Sequence, residues 1–202
     1  MIAALHLRKK SPIRSVFFLP WISFAHVLSG ILAVTYASFV VIYGEAYQAI
    51  ELRKFEHPAS LTEPRVLLNG DVIGEIQIPR LAVKAVVVQG DDLSLLDRAI
   101  GHLPETAMPG EWGNVALAGH RDRLFRPLRD IQSGDTIFID TPSQLLQYRV
   151  QSTFVVSATQ LDVLRQSDAK ELTLITCFPF TYIGRAPNRF IVRARQVASR
   201  PK

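Results

Sequence analysis

A single cysteine, Cys177, is the whole thiol content of these 202 residues. An intramolecular disulfide framework is therefore excluded, and the residue is either a small buried hydrophobe or a nucleophile. Acidic residues are missing from the chain until Glu45, and residues 15–44 carry no Lys, Arg, Asp or Glu at all. No internal repeat, low-complexity tract or heptad pattern is visible. No cluster of carboxylates has metal-ligand character, so neither a metal nor another cofactor is expected. The net charge of +5 also lacks substance as a nucleic-acid signal, because Arg8, Lys9, Lys10 and Arg14 supply four of those charges and leave about +1 for the rest.

The uncharged run is instead a membrane signal. As a helix rising about 1.5 Å per residue, the apolar core at 22–43 covers roughly the 30 Å hydrocarbon thickness of a bilayer. Trp21, Tyr36 and Tyr43 are amphipathic, and the first and last fall near the expected interfaces. Basic residues precede the run and Glu45 and Glu51 follow it, which predicts a cytoplasmic N-terminus and an extracytoplasmic remainder, a single-pass protein of the cell membrane. A cleaved signal peptide also begins basic and continues apolar, but this run exceeds a usual h-region and no A-x-A site follows at 43–48. A buried core helix is the remaining alternative, and soluble helices seldom go so long without a charge. The expected division is a basic N-terminus at 1–21, a transmembrane anchor at 22–44, a linker with Pro58 and Pro64 at 45–70, and a domain at 71–202.

From Asp71 onward the pattern becomes short runs rich in Val, Ile and Thr: DVIGEIQI, LAVKAVVV, NVALAGH, DTIFID, LLQYRVQSTFVV, ELTLITC and NRFIVRAR. Turn residues such as Pro109-Gly110, Ser133-Gly134-Asp135 and Thr141-Pro142 separate them, which predicts an all-β barrel or sandwich. Two short helical signals interrupt the strands: Asp91-Asp92 are placed to cap LSLLDRAI, and Thr159 to cap QLDVLRQ.

Cys177 ends the run ELTLITC, His120 ends NVALAGH, and Arg189 opens NRFIVRAR. A thiol works as a thiolate, and its usual partner is an imidazole. His102 and His120 are the two histidines of the β region, and His102, within GHLPET, reads as structural. Alternation places Arg189, Arg193 and Arg195 on one strand face and does not choose among them. Asp122, two residues past His120, orients the histidine or serves a turn.

GHLPETAMPGEWGNVALAGHRD followed by TLITCFPFTYIGRAPNRFIV resembles the sortases, membrane-anchored cysteine transpeptidases, and is most similar to class D-type members. Arg185 departs from the small residue or proline more often found there, and Phe178 from a frequent tyrosine. The resemblance implies a closed eight-stranded sortase-type β-barrel with short helices, preceded by the transmembrane helix. It implies Cys177 as nucleophile, His120 as general acid/base and Arg189 as oxyanion or substrate stabiliser, with Thr176 and Arg185 as candidate substrate contacts. The implied partners are proteins with an LPXTG-like sorting signal, an amine acceptor from peptidoglycan or a pilin lysine, and the membrane. Residues 103–107 themselves spell LPETA, and relatives carry a related loop there as part of the barrel.

Reference values of roughly 8.5 for a thiol and 6.5 for an imidazole leave only about 1% of a singly deprotonated pair as thiolate–imidazolium. A neighbouring guanidinium favours the thiolate and donates to a tetrahedral oxyanion, an effect worth about 3–4 kcal/mol where such donors have been removed. Two other readings compete. An L,D-transpeptidase uses a Ser-x-Gly-Cys-type segment, whereas Ile175-Thr176-Cys177 stands here. An idle peptide-binding module has no need of Cys177, His120 and Arg189 together.

Overall fold

A computed structural model describes residues 19–56, 67–182 and 184–202. The basic residues Arg8, Lys9, Lys10 and Arg14 and the linker prolines Pro58 and Pro64 lie outside the described residues. The chain forms two units, one ending at Tyr43 and the other running from Gly44 to Lys202.

Helix α1 spans Leu19–Glu56 without interruption. Up to Tyr43 its large apolar side chains, Phe24, Val27, Ile31, Val34, Phe39 and Val41 among them, are exposed around the whole circumference. A helix apolar on every side suits lipid rather than a protein core, and this one is long and apolar enough to cross a membrane. Two of its hydroxyls turn inward on the backbone: Thr35 Oγ1 donates to the Ile31 carbonyl at 2.8 Å and Ser29 Oγ to that of His26 at 3.0 Å.

In the second unit the helix continues past Gly44, and Tyr47 and Leu52 pack on Val86, Val88, Leu95 and Ala99. Gln48 fastens this turn at both ends of its amide. Its oxygen accepts the Val86 N–H at 2.8 Å, and its nitrogen donates to the Arg98 carbonyl. The Val86 N–H is available because the next strand pairs only from Val87 onward.

Eight strands close a barrel: β1 (Val72–Ile78), β2 (Val83–Gln89), β3 (Ile100–His102), β4 (Gly113–Ala118), β5 (Thr136–Asp140), β6 (Gln144–Ser157), β7 (Lys170–Phe178) and β8 (Asn188–Pro201). Their order around the barrel is β1-β2-β3-β4-β7-β8-β6-β5, with β5 returning to β1. Pairing is antiparallel except at β2/β3 and β4/β7. Closure removes sheet edges. It also sorts the side chains: Ile76, Ile78, Ala85, Val87, Leu117, Ile137, Ile139, Leu172 and Leu174 alternate into one interior cluster. β2 is apolar and buried on both faces from Ala85 to Val88 because its other face, Val86 and Val88, carries the α1 turn just described.

Seven of the strands follow the runs visible in the sequence. The eighth, β3, is three residues long and contains Gly101, too short for any period-2 pattern. The helical signals shrink. Only Leu93–Leu96 forms α2, and the Asp92 carboxylate at its N-cap takes the Asn69 side-chain amide instead of the helix N–H groups. Gln160, rather than Thr159, is the N-cap of a 3₁₀ turn at Leu161–Leu164. An element of one turn offers a cap too little ladder to reward it.

His102 closes β3 inside the protein, 1% exposed, and its Nε2–H donates to the Ala107 carbonyl at 2.9 Å while Nδ1 meets the Gln89 amide at 2.9 Å. Thr106 Oγ1 donates to the Leu103 carbonyl at 2.7 Å and accepts the Ala116 N–H at 3.1 Å. The LPETA segment is thus held as a barrel loop.

Two expectations follow from this packing. A fragment beginning at Gly44 should be more stable than one beginning at Leu61 by about 2–4 kcal/mol, the worth of two half-buried apolar side chains and two hydrogen bonds. Equal urea midpoints for the two fragments would show that the α1 turn contributes nothing. Burial holds the His102 imidazole below its ordinary value. The unfolded chain therefore binds the extra proton first, and stability should fall as pH drops below about 6.5. His102→Gln should flatten that slope between about pH 7 and pH 5, read from denaturation midpoints at each pH.

Candidate active site

Strand β7 lies between a parallel neighbour and an antiparallel one, and this decides what meets at its end. Parallel pairing with β4 sets Ala118 beside Ile175, so both strands release their chains at the same rim of the barrel. His120 leaves β4 there and Cys177 is the penultimate residue of β7. Antiparallel pairing with β8 brings the start of that strand to the same rim, with Cys177 directly opposite Arg189.

Directly paired residues share a face. Leu172/Ala194 and Leu174/Val192 therefore point into the core, whereas Thr173/Arg193, Ile175/Ile191 and Cys177/Arg189 point outward. The outward row continues onto β6, where Val156 pairs with Arg189 and Phe154 with Ile191. On this outer face a cleft of about 280 Å³ is lined by His120, Cys177 and Arg189, with Ala118, Ile175, Ile191 and Val156 as its floor. Leu161, Val163 and Leu164 from the 3₁₀ turn form one wall.

That wall is fixed by a buried polar network. Thr173 Oγ1 donates to Asn114 Oδ1 at 2.6 Å, and Asn114 Nδ2 donates to the Val163 carbonyl at 2.9 Å. Arg193 joins from β8, donating to the same carbonyl at 3.2 Å and pairing with Glu171 at 3.2 Å. Arg193 is thereby committed to structure. Arg195 lies farther along β8 in a separate surface groove beside Trp112. Of the three arginines on this face, Arg189 alone lines the cleft.

His120 sits on a turn pinned from several sides. The Gly119 N–H donates to the Ile175 carbonyl at 3.1 Å, one step beyond the strand, and the Gly119 carbonyl accepts from Thr176 Oγ1 at 2.7 Å. The His120 carbonyl accepts the N–H groups of Arg123 and Phe125 at 3.3 and 3.2 Å. Its Nε2 stands 3.6 Å from Asp97 Oδ1, and Arg123 Nη1 donates to the Asp97 carbonyl at 2.5 Å.

Cys177 and Arg189 are half-buried, and Arg189 Nη1 donates to the Ala186 and Asn188 carbonyls at 3.3 and 3.0 Å. These bonds turn the guanidinium back over the start of its own strand. Phe178, Phe180 and Phe190 cluster at the root of the following loop, with ring centres 5.3–6.2 Å apart. A thiol, an imidazole and a fixed cation in one apolar-floored cleft can attack a carbonyl, move a proton and stabilise an oxyanion.

Thr176 lines the same cleft, with its hydroxyl proton already given to Gly119. Arg185 is exposed in the loop before β8 and stands apart from the residues lining the cleft. The carboxylate beside His120 is Asp97, from the α2–β3 connection, while Asp122 is exposed in the turn. Nothing local in the sequence marks Asp97, since its neighbour is distant along the chain.

Residues 76–197 match the family model of the sortase domain. The chain is 31% identical over 130 residues to Sortase D of Bacillus subtilis, covering 64% of this chain and 66% of that protein. It is 30% identical over 110 residues to Sortase A of Listeria monocytogenes, covering 52% and 49%. It thus spans between about half and two thirds of these curated relatives. Among solved structures, a Sortase D5 transpeptidase of Clostridium perfringens superposes with a TM-score of 0.64 at 35% identity, covering 76% of this chain and 98% of that one.

The Gly119 turn generates a test. A Cβ there meets the Phe125 ring at 2.7 Å, and Phe125 is fully buried and unable to swing aside. Gly119→Ala should destabilise the fold by about 1–3 kcal/mol through this overpacking. Thermal or chemical denaturation reads the change, and a variant as stable as the parent would show that the ring yields freely.

Proposed function

The chain belongs to the sortase family, and from that premise we propose that it is a membrane-anchored cysteine transpeptidase cleaving an LPXTG-like sorting signal. One observation carries the reading: Cys177 faces Arg189 across the β7–β8 ladder while His120 lines the same cleft.

Cys177 Sγ, as thiolate, attacks the carbonyl carbon of the signal's threonine, and the carbonyl oxygen becomes an oxyanion to which Arg189 donates. The C–N bond breaks as His120 protonates the departing amine, leaving a thioester on Cys177. An incoming amine, from peptidoglycan or a pilin lysine, attacks that thioester, His120 takes its proton, and the thiolate is released with a new amide formed. A fixed cation suits the oxyanion because Arg remains charged at any physiological pH. The apolar floor lowers the local dielectric and strengthens that interaction.

In this reading residues 1–21 stay in the cytoplasm and 22–44 span the membrane. Residues 45–70 connect, their first turns docked on the barrel, and 71–202 form the catalytic domain outside. The apolar circumference of α1 supports the anchor, and the basic residues ahead of it support the orientation.

The full chain in micelles, given an LPXTG- or LPXTA-type peptide, should form an acyl adduct on Cys177 detectable by mass spectrometry. Cys177→Ala should abolish turnover, and retained activity would remove the thioester route. Arg189→Ala should lower kcat by about 10²–10³-fold. Arg185→Ala should leave kcat near that of the parent, and the reverse outcome for the two arginines would move the oxyanion site to the loop.

A further inference from the structure

Arg121 follows His120 directly, yet its side chain serves another segment. Its Nη2 donates to the Tyr182 carbonyl at 2.5 Å and the Gly184 carbonyl at 3.0 Å, and its guanidinium carbon stands 5.9 Å from the Tyr182 ring centre. Both carbonyls belong to the loop between Phe178 and Asn188, the strand ends that carry Cys177 and Arg189. One side chain therefore fastens the turn bearing the imidazole to the loop whose flanking strands bear the thiol and the guanidinium.

The described residues of that loop make other hydrogen bonds as well. The Tyr182 N–H donates to the Pro179 carbonyl at 3.3 Å, and the Ala158 N–H donates to the Pro187 carbonyl at 3.1 Å. Arg189 itself holds the Ala186 carbonyl. The middle, at Tyr182 and Gly184, is exposed and gathered by Arg121. Gly184 adopts φ of 91°, a left-handed conformation in which its carbonyl faces the same donor as that of Tyr182.

We propose that Arg121 is a positioning residue: its clasp on the Tyr182 and Gly184 carbonyls holds His120 in alignment with Cys177 and Arg189. The proposal rests on the transpeptidase reading for its catalytic consequence, but the clasp itself is a property of the fold. Nη2 alone serves both carbonyls while the delocalised guanidinium lies by the Tyr182 ring, and an ammonium on a flexible stem keeps these roles less firmly. Misplacing reacting groups by about 1 Å costs on the order of 10²-fold in rate.

The test uses the full chain in micelles, with Arg121→Ala and Arg121→Lys beside the parent, and two independent readouts. Hydrogen exchange should quicken in Arg121→Ala at the amides of 180–182, 184–186 and the His120 turn, with circular dichroism unchanged. Peptide cleavage should show kcat lowered about 10–100-fold with KM within about threefold, and Arg121→Lys should recover part of the rate. Unaltered exchange in the loop overturns the clasp. Quickened exchange with an unaltered kcat overturns the positioning role and leaves a structural one. If the parent cleaves no sorting-signal peptide, the transpeptidase reading fails, and with it the catalytic consequence, while exchange still decides the clasp. Should the alanine variant fail to fold, the lysine variant decides both by the same readouts.

Discussion

The register of β7 between β4 and β8 is the constraint on which the site depends. A parallel neighbour makes two strand ends coincide, and an antiparallel one makes a strand start coincide with an end, so β4 and β8 bring His120 and Arg189 to the rim where β7 delivers Cys177. A slip of one residue would carry Cys177 from the outer face to the core and exchange it with Thr176. The interior residues Leu172 and Leu174 resist that slip, because it would push them outward. Burial of aliphatic side chains in the barrel thus fixes the address of the thiol.

Much of this was readable from the chain, for unequal reasons. Cys177 and His120 sit in local motifs that end apolar runs, and locality is what a sequence displays best. The choice of Arg189 over Arg193 and Arg195 depended on a cross-strand register that alternation within one strand does not contain. In the folded protein, Glu171 and the Val163 carbonyl occupy Arg193, leaving Arg189 at the cleft. Asp97 was invisible because its relation to His120 exists only once β3 has paired with β4. β3 escaped detection by shortness, and the expected caps at Asp92 and Thr159 went unused because the elements they precede are barely one turn long.

Helix α1 illustrates a different limit. Composition alone distinguishes its apolar part from the turns that follow Gly44. The later turns face a patch that composition gives no reason to expect, since Val86 and Val88 look like one half of a doubly buried strand. Their partner comes from the helix: Tyr47 and Leu52 cover them, and Gln48 supplies the acceptor that β3 arrives too late to offer. The double burial of β2 and the persistence of α1 are two views of the same contact.

The parity of the β7–β8 ladder separates two histories within the same strands. Inward residues answer to the integrity of the barrel, and a change at Leu174 or Val192 is felt by every neighbour in the interior. Outward residues at the cleft, Ile175 and Val156 among them, stay partly exposed and pack on one side only. On the reading proposed above, exchanges at Ile175 and Val156 reach a bound peptide without disturbing the interior, so preference can drift ahead of any compensating change in the barrel.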